Sequence, residues 1–331
     1  MNDLELARNG RSLEGYDPEQ DLDPSVVDLL RESRSPSTWA TYERDRVTIE
    51  EWCAERGVRS LPATPATVAN YVGAKKDDLA PATIARRVAM WSAWHKSNGF
   101  RDKDNPVTSD LVRNALKGLR RATSGERQKE AKPLLEDDLA TIFRSISGSS
   151  LADLRDKALL TVGFHLGRRR SELVSLDVED LARPISGPKG VRVLLRRSKT
   201  DQEGRGEALW LPGIDAPYCP VKALEEWLRV SGIRSGAIFR NVTRNGTTGG
   251  RLSDRWVSEV VKRRAEEAGL EGEWSGHSLR AGFVTDRAMR GASTRSIARQ
   301  TGHSPTSPVL HRYVRLANPW EDNAVTIGAT G

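Results

Sequence analysis

Residues 167–173 read Gly167-Arg168-Arg169-Arg170-Ser171-Glu172-Leu173, directly after the longest apolar run of the chain, Ala158 to Leu166. Any one of those arginines, taken alone, is an ordinary solvated helix cation. Two further segments change the reading. Arg197-Ser198-Lys199-Thr200-Asp201 lies between Val191–Leu195 and Ala208–Leu211, whose β-prone residues predict a hairpin with a long polar turn. His277-Ser278-Leu279-Arg280 puts an imidazole and a guanidinium at i, i+3, on one face of a helix. Two arginines, a lysine and a histidine together suit a phosphate. A pentacoordinate phosphoryl transition state gathers negative charge on its non-bridging oxygens, and a guanidinium fork donates two hydrogen bonds to them.

The chain then offers Thr301-Gly302-His303 and, ten residues after His303, Tyr313 within Leu310-His311-Arg312-Tyr313-Val314-Arg315. The other four tyrosines, Tyr16, Tyr42, Tyr71 and Tyr218, are remote in sequence from this cluster. Arginine, hairpin lysine, His-x-x-Arg, histidine and tyrosine, in that order, resemble the tyrosine recombinase family of phage integrases and Cre-like enzymes. The resemblance covers nearly all of residues 34 to 320. Its Arg-x-Ser-Glu-Leu register selects Arg169 among the three adjacent arginines, since Arg169 lies three before Glu172. It departs from the family in two places: Arg168 stands where leucine is common, and the His303–Tyr313 spacing is one residue longer than usual, with Pro305 and Pro308 between.

The resemblance implies that Arg169 and Arg280 grip the scissile phosphate while Tyr313 attacks it, forming a 3′-phosphotyrosyl bond. It further implies that Lys199 protonates the departing 5′-oxygen, that His277 accepts or relays the tyrosine proton, that His303 donates a hydrogen bond to the phosphate, and that Glu172 orients the cluster. Since the phosphotyrosine preserves the energy of the diester, no nucleotide or metal cofactor is expected. Gly187-Pro188-Lys189-Gly190 lacks the Gly-Lys-Ser/Thr ending of a triphosphate loop, and His277, His303 and His311 offer no ligand pair one helical turn apart for zinc.

Outward from the cluster, the pattern is mainly α. Trp39, Tyr42, Ile49, Trp52 and Cys53 recur at helical spacing after Ser35-Pro36-Ser37, and Gly57 ends that helix. Further helices begin at Thr64-Pro65 with Val68, Tyr71 and Val72, at Ala82 with Ile84, Val88, Trp91 and His95, and after Asn105-Pro106 with Leu111, Val112, Ala115, Leu116 and Leu119. Trp39, Trp52, Trp91 and Trp94 are read as core rather than as platforms for bases. The expected organisation is an acidic, disordered leader at 1–33, a helical DNA-binding domain at 34–121, a linker at 122–132 and a catalytic domain at 133–331 that is α-rich with a small antiparallel sheet. By resemblance the two domains form a clamp on duplex DNA, with Arg86, Arg87, Lys117, Arg120 and Arg121 as the DNA contacts of the first.

Of the 331 residues, the first 33 carry nine acids against three arginines, so a formal charge of +7 overall leaves +13 on residues 34–331. That excess suits a polyanionic partner. Only Cys53 and Cys219 are present, too few for a disulfide framework, and no apolar run is long enough for a membrane span. A cytoplasmic, nucleoid-associated enzyme is expected, monomeric when free and tetrameric on two DNA sites, with Trp320 to Ile327 passed to a neighbouring protomer. The lack of an extra folded N-terminal domain points to a simple Cre-like site-specific recombinase. A strand-relaxing topoisomerase, a telomere resolvase and a non-catalytic DNA-binding protein are the alternatives.

Overall fold

The computed structural model describes residues 36–123, 131–182, 190–196, 206–304 and 306–317. The acidic leader, the Lys199 segment and the Trp320–Ile327 segment lie outside them. The chain divides into two compact units, Met1–Gln128 and Lys129–Gly331.

The first unit holds α1 (Pro36–Ala54), α2 (Pro65–Lys75), α3 (Pro81–Ser97) and α4 (Asp110–Ala122). Its helix starts follow from local chemistry. The Thr64 hydroxyl accepts from the Thr67 amide and the Ser109 hydroxyl from the Val112 amide, each satisfying a donor that the first turn leaves open. The expected stripes meet in one core containing Ile49, Trp52, Val68, Tyr71, Val88, Trp91 and Trp94. Trp52 and Trp91 pack edge-on against Tyr71, with centroids 5.2 and 5.7 Å away. Trp39 is only partly buried, at the margin of this core. Leu111 departs from its expected stripe: it is an exposed residue of α4, whose buried line runs through Val112 and Leu119 instead.

The second unit contains α5 (Glu136–Ser145), α6 (Leu151–Leu166), α7 (Arg170–Ser175), α8 (Pro220–Ser231), α9 (Asp254–Glu267), α10 (Gly276–Met289), α11 (Thr294–Thr301) and α12 (Pro308–Ala317). Helix α6 is buried on every face from Ala158 to Leu166, which accounts for an apolar run interrupted only by Thr161 and His165. The expected hairpin is present as β2 (Gly190–Leu195) paired antiparallel with β3 (Glu207–Pro212), Val193 opposite Leu209. Val191, Val193, Leu195, Leu209 and Leu211 point into the core, while Arg192, Leu194 and Trp210 point out. Strand β1 (Leu181–Ala182) extends that sheet, and β4 (Arg240–Val242) pairs with β5 (Thr248–Arg251) in a separate ribbon.

Residues at both edges of the expected 122–132 linker are described. Ala122 is the last residue of α4, and Lys132 already belongs to the second unit, donating its amide to the Glu273 carbonyl and placing its ammonium over the Trp274 ring. No helix of the described residues is long and apolar enough to cross a membrane.

Candidate active site

Two helix C-termini build the site. Helix α6 ends at Gly167 and α11 at Gly302, both left-handed with φ of 60° and 69°, a conformation that favours glycine. A helix ended this way leaves carbonyls pointing outward, at the negative end of its dipole. Arginines take them. Arg280, in the second turn of α10 and fully buried, donates from Nη1 to the Gly167 carbonyl (2.9 Å) and to the Thr301 carbonyl. It thereby ties the two termini together.

Arg169 sits at the start of α7. Its amide donates to Glu172 Oε2 (3.0 Å) and its Nη1 to Glu172 Oε1 (2.8 Å). The Glu172 side chain is 5% exposed and that of Arg169 29%, so the carboxylate is the buried anchor and the guanidinium reaches outward from it. Arg170, third of the run, turns away to Asp254 and Ser258 on α9.

His277 is exposed in the first turn of α10, where the Ser275 hydroxyl accepts its amide. His303 follows Gly302, half-buried, with Nδ1 2.8 Å from the Thr301 hydroxyl. That hydroxyl gives its proton to the Ile297 carbonyl (2.7 Å), so its oxygen accepts from Nδ1–H and Nε2 carries the imidazole lone pair.

The electrostatics accords with this arrangement. Burial and then Arg280, Arg169, His277 and Arg168 press the His303 pKa down from its ordinary 6.5 to about 4. Arg280 itself is lowered to about 10, by burial first and Arg169 next, with Glu172 and the Tyr313 phenol acting in the opposite direction. Tyr313 is half-buried on α12, packed with Val314 against a small cluster of Val284, Ala288, Ile297 and Leu310 from α10, α11 and α12, with the Arg312 guanidinium 5.8 Å from its ring centre.

The structure therefore brings Arg169, Glu172, His277, Arg280 and His303 to one place, with Tyr313 in electrostatic reach of Arg280. Lys199 lies outside the described residues. Of the expected DNA contacts, Lys117, Arg120 and Arg121 are exposed on α4 and Arg86 is exposed on α3, where it pairs with Asp45. Arg87 is instead half-buried, donating to the Tyr71 hydroxyl (2.9 Å) and lying 3.4 Å from Asp45, as a brace within the first unit. Two residues escaped the sequence reading. Thr301 fixes the His303 ring, and Arg168, adjacent to the selected arginine, is buried beneath Gly302. Among the described residues, no group of three His, Cys, Asp or Glu side chains is placed to hold a metal ion.

Comparison with known proteins gives the following likenesses. The model of the phage integrase family matches residues 132–319. An integrase/recombinase XerD homologue of Selenomonas ruminantium is 37% identical over 299 residues, covering 89% of this chain and 86% of the relative. Tyrosine recombinase XerC of Myxococcus xanthus is 29% identical over 300 residues, covering 87% and 89%. In fold, the chain is similar to a XerH site-specific recombinase bound to palindromic difH substrate in a post-cleavage complex (TM-score 0.61, 17% identity, 99% of this chain and 92% of that one). It is also similar to a lambda integrase tetramer bound to a Holliday junction (TM-score 0.58, 14% identity, 91% and 78%).

Proposed function

This chain belongs to the phage integrase family and is a tyrosine recombinase, an enzyme of site-specific DNA recombination; from that premise we propose that Tyr313 is its nucleophile and that Arg169 and Arg280 hold the phosphate it attacks. The Tyr313 oxygen forms a bond to phosphorus as the bond from phosphorus to the 5′-oxygen breaks, leaving a 3′-phosphotyrosyl link and a 5′-hydroxyl. Attack by a 5′-hydroxyl from another strand reverses the step and exchanges strands, with the diester energy conserved throughout. His277 takes the phenolic proton, Lys199 supplies one to the leaving oxygen, and Glu172 holds Arg169 in place. His303 donates from Nε2 to a non-bridging oxygen once the phosphate charge has favoured its protonation.

One observation carries this reading: burial and neighbouring cations lower the proton affinity of the Arg280 guanidinium and the His303 imidazole, with Arg169 acting on both and His277 on His303, while the Tyr313 phenol acts on Arg280 in the opposite direction. Such a group is costly without an anion and favourable with one. In this reading both units contact duplex DNA, with Lys117, Arg120 and Arg121 contributing from the first, and four protomers assemble on two sites with the C-terminal segment around Trp320 to Ile327 exchanged between neighbours. The enzyme works on chromosomal DNA in the cytoplasm and is monomeric when free.

Incubation with nicked suicide substrates gives a denaturation-resistant protein–DNA adduct with the wild type and none with Tyr313→Phe. An adduct that survives Tyr313→Phe refutes the assignment. Crossover products from two target sites separate recombination from simple relaxation.

A further inference from the structure

Arg168 has the most confined side chain of the three-arginine run, at 1% exposure. Its Nε donates to the Gln300 carbonyl (2.8 Å) and its Nη2 to the Arg299 carbonyl (3.2 Å). With Arg280 on Thr301, the carbonyls of three successive residues at the end of α11 are all held by two guanidinium groups. Nη2 also pairs with Glu207 Oε1 (2.8 Å), the first residue of β3, whose side chain is 41% exposed. Nη1 is buried without a hydrogen-bond partner among the described residues. It lies under the Gly302 α-carbon, where a Cβ would collide with it.

Stability alone does not explain this arrangement. Removing a guanidinium from water costs several kcal/mol, and a single half-exposed carboxylate with two carbonyls recovers only part of it. An apolar side chain of similar length fills the same space without that cost, and replacements of this kind are often neutral or stabilising. What an apolar residue cannot do is bind the α11 terminus to β3 through directed hydrogen bonds, at the turn that delivers His303. Helix α11 is also linked to α6, where Gln300 Nε2 donates to the His165 carbonyl (2.9 Å).

We infer that Arg168 is a positioning residue for strand cleavage, its buried guanidinium locking the Thr301–His303 turn against β3 so that Arg280 and His303 meet the phosphate in fixed geometry. The inference rests on the active-site reading above but goes beyond it, since Arg168 itself touches neither phosphate nor tyrosine. Its charge also reaches the site. His303 faces Arg280 and His277 from α10, Arg169 from the start of α7, and Arg168 from below, and all four act against its protonation.

The test compares full-length wild type with Arg168→Met, Arg168→Lys and Glu207→Gln. Three quantities are read: DNA affinity by fluorescence anisotropy, single-turnover cleavage of a nicked suicide substrate, and the His303 titration by ¹⁵N-edited NMR. A misplacement of roughly 1 Å costs on the order of 100-fold in rate. Arg168→Met therefore cleaves about 10- to 100-fold more slowly, with DNA affinity and Tm close to wild type and the His303 midpoint raised above about 4. Arg168→Lys, keeping the charge but not the fork, leaves the His303 midpoint low and restores cleavage in part. Glu207→Gln loses cleavage by less than Arg168→Met. Wild-type cleavage by Arg168→Met with an unmoved His303 titration overturns the inference. So does a loss of cleavage that merely tracks a loss of Tm and DNA affinity. Should Arg168→Met not fold, wild-type rates in both Arg168→Lys and Glu207→Gln overturn it equally. If the wild type forms no Tyr313-dependent adduct, the active-site reading fails, and the His303 titration alone then decides the role of Arg168.

Discussion

Replacing Glu172 by glutamine tests whether the cationic cluster is held together by this buried anion. The carboxylate accepts from both the Arg169 amide and the Arg169 guanidinium, and its charge opposes the mutual repulsion of Arg169 and Arg280. Glutamine keeps the shape but presents one acceptor oxygen and an amino group that faces a guanidinium. A hydrogen bond to a charged group contributes about 1.5–3 kcal/mol, and partial exposure of Arg169 puts the loss near the middle of that range, about 2 kcal/mol. For a unit of this size each kcal/mol shifts Tm by about 2–4 °C, so the second unit melts about 4–8 °C lower in Glu172→Gln. The same 2 kcal/mol, read as lost orientation of Arg169, slows strand cleavage by roughly 30-fold. Sulfate, an anion with the charge and shape of the missing partner, raises the variant's Tm more than that of the wild type. Scanning calorimetry with and without sulfate reads both effects. A variant that melts within about 1 °C of wild type and gains no more from sulfate refutes the claim that Glu172 neutralises the cluster.

Acid destabilises the folded chain over a defined window. Burial lowers the pKa of His95, His165 and His303 below the ordinary 6.5, in the last case to about 4. Between the folded and unfolded values the unfolded chain binds more protons, so the full stability is present above about 6.5 and is lost as pH falls towards the folded values. Tm measured from pH 7.5 to 4.5 is flat at first and then falls; a flat profile throughout contradicts these shifts. The first unit offers a separate comparison. Lys117→Ala and Arg120→Ala each reduce the slope of log affinity for DNA against log salt by about 0.9 with little change in Tm, whereas Arg87→Ala, which removes the brace to Tyr71 and Asp45, lowers Tm and leaves the salt slope in place. Equal salt effects from all three reverse the distinction between contact and brace.

The helices of the first unit were legible because their stripes are dense in tryptophan and β-branched residues, and because Pro36, Pro65 and Pro81 stand at the starts of three of them. Leu111 misled because an apolar residue beside Val112 satisfies helical spacing equally well, and only packing decides which of the two is buried. The hairpin was legible from alternating Val191, Val193 and Leu195. Its companion ribbon was not, since Thr248-Gly249-Gly250-Arg251 has no strand propensity of its own and forms by pairing with Arg240–Val242. In the site, register against Glu172 identified which arginine the carboxylate holds, yet nothing local separates a buried Arg168 from an exposed Arg170. That difference comes from α11 and β3, which are 131 and 39 residues away in sequence. The partners of Arg87 were illegible for the same reason: Tyr71 and Asp45 come from other helices.

The two departures in proton affinity describe how the site is prepared. Gly167, Arg299, Gln300 and Thr301 supply carbonyls that fix two guanidinium groups without neutralising them, because a carbonyl carries no net charge. Burial first, and then the positive potential of cations held in fixed positions, lowers Arg280 to about 10 and His303 to about 4. A phosphate entering this potential meets donors already in place, so little reorganisation is required of the protein as charge develops on the non-bridging oxygens. In the proposed reading, the phosphate's own charge raises the affinity of His303 for a proton, and since the Thr301 oxygen already accepts from Nδ1–H, the added proton goes to Nε2, the nitrogen turned from that hydroxyl. In that reading, anion binding and the appearance of a further donor at His303 are one event, set by the orientation of a single threonine hydroxyl.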